Sequence, residues 1–260
     1  MAWFKKLSRY TLLTILLAVI LTLGIAVNTP VKVQAQTGFE SLSSKIPEQW
    51  EFEEATRSGA FVPMYMQGGD ARCNCIQDSE RSLVALVPAS GIGTTMAEYP
   101  TFVWYVPRST APTVEFVLRD ASNEKIYSLK YALTQEGGAS AHGLMSLTLP
   151  ASANISPLEI GQDYRWELVL VCSLEDHSSD VISEGGIRRV QPDSTLVSRI
   201  QQVTSPERVA LYADARLWYD TLATLMELRR DHPNDKSLAE AWNKLLNSVG
   251  LGVISDKRTN

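Results

Sequence analysis

An alternation of apolar and polar residues with a period of two constrains the fold of this chain most, and it runs from Leu83 to Val190. Successive side chains of a β-strand point to opposite faces, so this period predicts half-buried strands rather than helices. Turn-forming residues separate the alternating segments, and the turn at residues 121–124 predicts a hairpin. The predicted strands are 82–88, 101–107, 113–120, 125–134, 143–150, 163–172 and 180–190. Short strands at this spacing predict an antiparallel β-sandwich domain over residues 81–191.

The same alternation predicts which side of each strand is buried. In the strand 163–172, Trp166, Leu168 and Cys172 share one side. We therefore expect Cys172 to point into the core beside Trp166. A buried cystine next to a tryptophan is similar to the immunoglobulin arrangement, although the cysteine spacing differs. This similarity predicts an immunoglobulin-like architecture and carries no function.

After Pro192 the apolar period becomes helical, which predicts a helical tail over residues 192–252 and an α+β fold class. Ser205 and Ser237 are the predicted start signals of two of its helices. The middle of the tail resembles one tetratricopeptide unit, a pair of antiparallel helices. The matching positions are Tyr212, Trp218, Leu225, Leu228 and Pro233.

A single unit of this kind cannot bury its own apolar face. We therefore expect the helical hairpin to pack on the β-sandwich as a structural cap. The alternative is a partner-binding groove on the tail, for which Tyr212, Trp218 and Trp242 are the candidate contact residues. The rings of Trp104-Tyr105 and Trp218-Tyr219 could likewise contact a partner or fill an interface between the strands and the helices. We favour the second interpretation.

The first 35 residues have the pattern of a secretory signal peptide. Basic residues precede an uncharged apolar run at residues 12–27, and small residues at Val33 and Ala35 predict cleavage before Gln36. An uncleaved anchor is the alternative interpretation, but the run is shorter than the roughly 20 residues that span a bilayer, which favours cleavage. A periplasmic or secreted location follows. Residues 36–80 predict an irregular arm or linker, with one short helix at 47–57, and residues 253–260 a disordered terminus.

Three cysteines remain for an oxidising compartment, where a disulfide is expected. Cys73 and Cys75 are too close in sequence to pair without strain, so Cys172 is expected to pair with one of them. Cys75 is favoured because it lies nearer the first strand, and Cys73 stays open as the alternative. A copper or zinc site at the Cys-x-Cys sequence is the other interpretation, although no histidine lies nearby.

Several segments occur in the order that is typical of the cyanobacterial domain of unknown function 928. They are "SLVALVP", "EYPTFVWYVP", "EFVLRD", "YRWELVLVC", "GGIRRV" and "ERVALYADARLWYDTLATLMELRRDHP". The resemblance covers roughly residues 75 to 252. It implies an exported bacterial protein with a β part and a helical tail, in which the cysteine pattern matches Cys75 and Cys172. It implies no catalytic residues and no cofactor.

Charge and motifs narrow the function classes. Removing residues 1–35 takes away four basic and no acidic residues, which leaves 20 Lys+Arg against 29 Asp+Glu and a net charge of −9. An acidic surface of this kind predicts no nucleic-acid binding.

Ser140 and His142 lie in a glycine-rich turn that lacks the nucleophile-elbow pattern. The cluster that follows the strand 163–172 is a weak candidate for a divalent metal site. Its members are Glu175, Asp176, His177 and Asp180.

The sequence predicts an envelope protein with a non-catalytic binding or scaffolding role toward a protein or glycan partner. No cofactor is expected, nor a stable membrane span once the signal is removed. The alternative is a periplasmic hydrolase or glycan-active enzyme with a site between the β and helical parts. That alternative needs a pocket that contains His142 or the loop from Glu175 to Asp180, with perturbed carboxylates.

Overall fold

The computed structural model describes residues 42–52, 75–77, 81–133, 142–152 and 155–254. The predicted signal peptide, Cys73, Ser140 and most of the predicted terminus lie outside these residues. The described residues belong to one compact unit that contains both the strands and the helices.

Eight strands are present in the described chain. They are β1 (Val84–Ala85), β2 (Ile92–Thr95), β3 (Thr101–Val106), β4 (Thr113–Arg119), β5 (Lys125–Ala132), β6 (Gly143–Thr148), β7 (Asp163–Val171) and β8 (Val181–Arg189). They form a three-stranded sheet with the order β1-β3-β6 and a five-stranded sheet with the order β2-β8-β7-β4-β5. Every pairing is antiparallel except that of β2 with β8. β2 was not predicted, because "IGTT" is short and lacks an apolar alternation.

The two sheets pack through large side chains on their facing sides. The ring of Phe102 on β3 lies 5.0 Å from that of Phe116 on β4 and 5.2 Å from that of Trp166 on β7. All three side chains are fully buried. Trp166 was predicted to face the core from its alternation with Arg165 and Glu167, and it does so. Removal of this apolar surface from water is the main stabilising term of the sandwich.

Four helices follow the strands in the described residues. They are α1 (Ser194–Gln202), α2 (Ser205–Asp214), α3 (Trp218–Asp231) and α4 (Lys236–Ser248). Two of them start earlier than predicted. Thr204, not Ser205, caps α2, and the Glu207 carboxylate accepts hydrogen bonds from the Thr204 N–H and hydroxyl at 2.8 and 2.7 Å, which lower its pKa to about 2. Asp235, not Ser237, caps α4 by accepting from the Ser237 N–H.

The predicted arm departs from expectation in its described part. A 3-10 turn occupies Leu42–Lys45, and residues 47–52 are not helical. Ile46, Trp50 and Phe52 are buried in the common core, and the Phe52 ring meets the edge of the Trp218 ring at 5.0 Å. Residues 42–52 therefore pack against the folded unit instead of acting as a loose linker, because their apolar side chains cover the helices.

The end of the helical part also extends beyond the prediction. Gly250 has a φ of 79°, which suits a glycine just past the end of α4. A 3-10 turn then spans Gly252–Ile254, and Ile254 is buried. The ordered chain thus runs at least two residues past 252. The α+β class, the two mostly antiparallel sheets and the C-terminal helices are confirmed.

Candidate functional site

Helix α3 is fixed to the strands by its first two residues. The indole N–H of Trp218 donates to the Leu86 carbonyl at 2.9 Å. The Tyr219 hydroxyl donates to the Gly186 carbonyl and accepts from the indole N–H of Trp166, both at 2.8 Å. Both α3 rings are buried, and burial raises the pKa of Tyr219 well above its usual range. Because each polar atom in this contact has a partner, the helix has one favoured position on the β layers.

A glycine permits this close approach. A Cβ atom at Gly93 on β2 would lie 2.9 Å from ring atoms of both Trp218 and Tyr219. That separation is shorter than van der Waals contact allows. The strand that the sequence analysis missed therefore supplies the surface on which the helical hairpin rests.

Asp220, the third residue of α3, holds the chain between β2 and β3. Its carboxylate accepts from the Met96 N–H at 3.2 Å and from the Thr95 hydroxyl. Burial disfavours the charged carboxylate and raises the pKa of Asp220 to about 6, although these hydrogen bonds act in the opposite direction. The carboxylate is thus committed to the backbone contact that joins the helix to the sheet.

Two adjoining cavities lie along α3, between the helices and the three-stranded sheet. The larger has a volume of about 770 Å³ and the smaller about 130 Å³. Both are lined by Thr101, Ala223 and Glu227, so they share a boundary. We call the two cavities together the interlayer groove. Asp220 and Tyr212 lie at its narrow end.

Strand β6 forms the floor of the wide end. Leu144, Ser146 and Thr148 line the cavity, and Ser146 and Thr148 are exposed. Thr148 lies opposite Thr101 on β3, and their hydroxyls are 2.8 Å apart. The floor is therefore a regular, hydrogen-bonded part of the sheet, and it carries small or apolar side chains without a charge.

The end of α3, the turn after it and the start of α4 together form the wall of the wide end, and they carry both signs of charge. The Arg229 guanidinium lies over the Trp242 ring at 4.8 Å, an orientation in which the cation faces the negative side of the ring. Arg230 pairs with Asp231 at 3.5 Å, and both are exposed. The remaining charged lining residues of the wide end are Glu227, Asp235, Lys236 and Glu240, together with His232.

The groove has the features of a binding surface. Among the residues that the structure describes, no three His, Cys, Asp or Glu side chains come close enough to hold a metal ion. Two carboxylates, Asp220 and Glu227, line the narrow end, and that of Asp220 accepts a hydrogen bond from the Met96 backbone N–H. Tyr212 is half-buried, and burial and the nearby Asp220 charge raise its pKa, which leaves its hydroxyl protonated at neutral pH. Asp220 accepts hydrogen bonds and the Tyr212 hydroxyl can donate or accept them at the narrow end of the groove.

The predicted partner-binding residues are divided by the structure. Trp218 and Trp242 are 1% and 0% exposed, so neither side chain is available to a partner in this fold. Trp218 is covered by the strands, and Trp242 packs in the same core with Arg229 above it. Only Tyr212 lines the groove. The expectation that such rings fill an interface between strands and helices describes Trp218 and Tyr219, which are buried where α3 meets the strands. Trp104 and Tyr105 are also buried, but the Trp104 ring packs against Phe116 and Tyr131 of the other sheet and the Tyr105 hydroxyl accepts from Arg81.

The loop proposed as a weak metal site uses its side chains locally. Asp180 accepts from the Cys172 N–H at 2.9 Å with one carboxylate oxygen, and its other oxygen lies 2.8 Å from His177 Nδ1. Asp176 caps a 3-10 turn by accepting from the Ser178 N–H, and this bond lowers the pKa of Asp176. Glu175 is exposed. The four side chains are therefore not gathered around one point, because turn formation directs the aspartates to the backbone.

His142 does not line the groove, although it lies two residues before Leu144, which does. It is exposed and precedes β6, while the cavities contain neither it nor the loop from Glu175 to Asp180. The site that a hydrolase would require from these groups is not assembled between the strands and the helices.

The cysteines join the end of β7 to the segment before β1. Cys75 and Cys172 form a disulfide with a sulfur–sulfur distance of 2.04 Å, across a sequence separation of 97 residues. Backbone contacts hold Cys75 nearby, since its carbonyl accepts from the Thr110 N–H at 2.8 Å and Ile76 bridges to Ser109. The favoured pairing is therefore the one present.

Apart from Tyr212, the residues that line the groove were not identified from the sequence. Thr101, Ser146 and Glu227 belong to no motif, and each lies on a different element. A signal was available at Asp220, which occupies the first turn of a predicted helix, where an acidic residue is favourable. That signal predicts a helix start and not a contact with a strand 124 residues away along the chain.

Comparison with known proteins identifies a family rather than an activity. The family model described as Domain of Unknown Function (DUF928) matches residues 67–259. This range contains every strand and helix described above. No curated protein matches the chain.

Proposed function

This chain belongs to the family described as Domain of Unknown Function (DUF928), and we propose that it is an exported, non-catalytic binding protein whose partner occupies the interlayer groove. The observation that carries the proposal is the groove itself. It combines a volume of about 770 Å³ with a rigid uncharged strand as floor and a wall of mixed charge. Concave sites with a few converging polar groups are the usual form of binding sites.

The way the helices are attached supports a binding role for the groove. Trp218, Tyr219 and Asp220 fix α3 to three different strand segments, so the wall does not need a ligand to be held in place. A preformed site loses less conformational entropy when a partner binds. Side chains that stabilise the fold thus leave the exposed face of the α3–α4 turn available for contacts.

An exported location is supported by two features. The sequence pattern of residues 1–35 is that of a secretory signal, and the disulfide between Cys75 and Cys172 is of a kind that persists in oxidising compartments. Within the described residues, no helix has the length and apolar character needed to cross a bilayer. The proposal places the folded unit in the periplasm or outside the cell, with an envelope protein or glycan as the partner.

The finer relationships of the fold belong to the same proposal. We infer an immunoglobulin-like sandwich from the packing of Trp166 between facing sheets, although the parallel pairing of β2 with β8 departs from a purely antiparallel arrangement. The hairpin of α2 and α3 is proposed to be derived from a tetratricopeptide unit. Leu225 and Leu228 are buried in it, as such a unit requires, and the β layers take the place of neighbouring repeats.

A photo-crosslinking experiment tests the groove as the binding site. A photoreactive phenylalanine analogue replaces Glu240, which is exposed on the groove wall, in the cells that produce the protein. The matched control places the same analogue at Leu174, which is 71% exposed and does not line the groove. We expect one discrete crosslinked species from position 240 and none from position 174. Equal crosslinking at both positions, or none at position 240, would contradict the proposal.

The hydrolase alternative retains one supporting observation, the carboxylate of Asp220 with its pKa of about 6 beside Tyr212. A proton-transfer role would require that carboxylate to face a substrate. Its oxygens instead accept from the backbone and hydroxyl of the β2–β3 segment. We therefore assign a role in fold stability to Asp220. If the native protein hydrolyses a substrate and the Asp220→Asn variant keeps that activity, Asp220 has no proton-transfer role.

A further inference from the structure

Strand β6 has one edge that is paired and one that is not, among the residues that the structure describes. It pairs with β3 in an antiparallel register in which Ser146 lies opposite Val103. The Leu149 N–H donates to the Pro100 carbonyl, and the Val103 carbonyl accepts from Leu86 on the other side of β3. In an antiparallel pair, hydrogen-bonded and non-hydrogen-bonded residue pairs alternate. These two bonds fix the phase of the alternation along β6.

Because of this alternation, the backbone N–H and C=O groups of three β6 residues point away from β3. Residues 143, 145, 147 and 149 bond to β3, so the N–H and C=O groups of Leu144, Ser146 and Thr148 point outward. These are the same three residues whose side chains line the interlayer groove. They span about 14 Å at roughly 3.4 Å per residue. The groove is therefore bordered by three outward donors and three outward acceptors in a regular row.

The sequence of β6 lacks the features that usually protect an edge strand from pairing. Edge strands are commonly very short, charged or interrupted by proline. β1 and β2 have two and four residues. The edge strand of the other sheet, β5, carries Lys125 and Lys130. β6 has six residues with no charge and no proline, and its Ser146 and Thr148 are exposed.

We propose that the partner contributes an extended polypeptide segment that adds to the three-stranded sheet as a strand beside β6. Its backbone bonds to the N–H and C=O groups of Leu144, Ser146 and Thr148. Alternate side chains of the segment enter the groove beneath α3 and α4. This inference rests on the proposed function and names the chemical class of the partner.

A polypeptide fits this edge better than the other candidate occupants do. A row of alternating donors and acceptors is complemented by another peptide backbone, whereas a glycan offers hydroxyls without this regular spacing. A second copy of this chain pairing through its own β6 would bring only Leu, Ser and Thr side chains toward the groove. Those small side chains would leave most of the volume of about 770 Å³ and its charged wall without contacts. A segment with longer polar side chains uses both.

A matched pair of proline substitutions tests the pairing. Ser146→Pro removes an outward N–H from β6, and Ser128→Pro removes one from β5, the edge of the other sheet. Ser128 lies opposite Val117, and the Leu133 N–H donates to the Pro112 carbonyl, so the Ser128 N–H also points away from its paired neighbour. Proline is tolerated at edge positions of this kind. Both variants are expected to fold, which circular dichroism and thermal unfolding check.

The probe is a library of random heptapeptides displayed on phage, from which the tightest binder is synthesised and its Kd measured by calorimetry. We expect Ser146→Pro to weaken binding by about tenfold or more, since a bond and the edge itself are lost. Ser128→Pro is expected to leave the Kd unchanged. Two N-methylated forms of the peptide provide a test in the native protein. Methyl groups on one set of alternate residues should abolish binding, and methyl groups on the other set should not.

Each remaining outcome contradicts part of the reasoning. The selected peptide could bind the Ser146→Pro variant and the native protein with the same Kd, while a Glu240→Lys change in the groove wall weakens its binding. In that case the groove binds ligands and strand addition is wrong. If no peptide is selected while the photoreactive analogue at Glu240 still yields a discrete adduct, the partner is not an extended polypeptide. A concentration-dependent dimer that Ser146→Pro dissociates would identify a second copy as the occupant and overturn the proposal.

Discussion

Replacing Asp220 by asparagine is expected to stabilise the protein at neutral pH. The carboxylate is held against β2 and accepts from the Met96 N–H and the Thr95 hydroxyl. The amide oxygen of asparagine can accept from the Met96 N–H, and the Thr95 hydroxyl can either donate to that oxygen or accept from the amide NH2. The amide carries no charge into this partly buried position. The change therefore removes the desolvation penalty of a charge while it keeps the contact that joins α3 to the strands.

The magnitude follows from the pKa of Asp220, which burial raises from 3.8 to about 6. Because the folded state holds this proton more tightly than the unfolded chain, the carboxyl destabilises the fold above pH 6. The penalty disappears as the pH falls from about 6 toward 3.8. The pKa difference between the unfolded and the folded state corresponds to a penalty in the free energy of unfolding of about 3 kcal/mol at most. The asparagine variant should be more stable by up to that amount at pH 7.5 and by little near pH 4.

Urea unfolding at several pH values between 4 and 7.5 measures the difference. The free energies of unfolding of wild type and variant are compared at each pH, so that carboxyl groups common to both proteins cancel. The control is Asp231→Asn, on the exposed end of the same helix, which should show no pH-dependent gain. A variant that is less stable than wild type at pH 7.5, or a gain that does not shrink as the pH falls, would refute the assignment of Asp220 as a buried charge.

Two further changes address the docking of α3 and the disulfide. Tyr219→Phe removes the hydroxyl that joins the Trp166 indole N–H to the Gly186 carbonyl. Because both buried groups are left unpaired, the free energy of unfolding should fall by about 1–3 kcal/mol. An unchanged denaturant midpoint would show that these groups find other partners. Replacing Cys75 and Cys172 together by serine opens a loop with a sequence separation of 97 and should destabilise the fold by about 4–5 kcal/mol in the chain-entropy model. Equal thermal midpoints for this double variant and the oxidised native protein would contradict that estimate.

The sequence was informative wherever a local pattern determines a structure. The strand pattern of "YRWELVLVC" follows from alternation alone, and it placed Trp166 in the core and Cys172 at the strand end. Gly250 marks a helix end because a positive φ suits glycine. The pairing of Cys75 with Cys172 was favoured from position and from the resemblance. These features depend on neighbours along the chain or on one long-range link that chemistry restricts to few candidates.

The groove escaped prediction because its lining comes from separate elements. Thr101, Ser146 and Glu227 are ordinary residues in their own segments, and they approach one another only when α3 packs beside β3 and β6. The same packing buries Trp218 and Trp242, and the sequence left their exposure open because an aromatic pattern specifies a large side chain and not its exposure. β2 was missed for a related reason, because "IGTT" is a strand only by virtue of its pairing with β8.

By itself the sequence determined seven of the eight described strands, the helical part that follows them, the apolar side of β7 and the acidic net charge of −9 beyond the predicted leader. These properties depend on side-chain periodicity, backbone preferences and composition, all of which are local or additive. Tertiary structure alone decided which edge of β6 stays open, where the groove lies and why the Asp220 carboxylate contacts the β2–β3 segment. Each of these depends on the distance between residues far apart in sequence, and that distance is set by how the helices and the two sheets pack together as a whole.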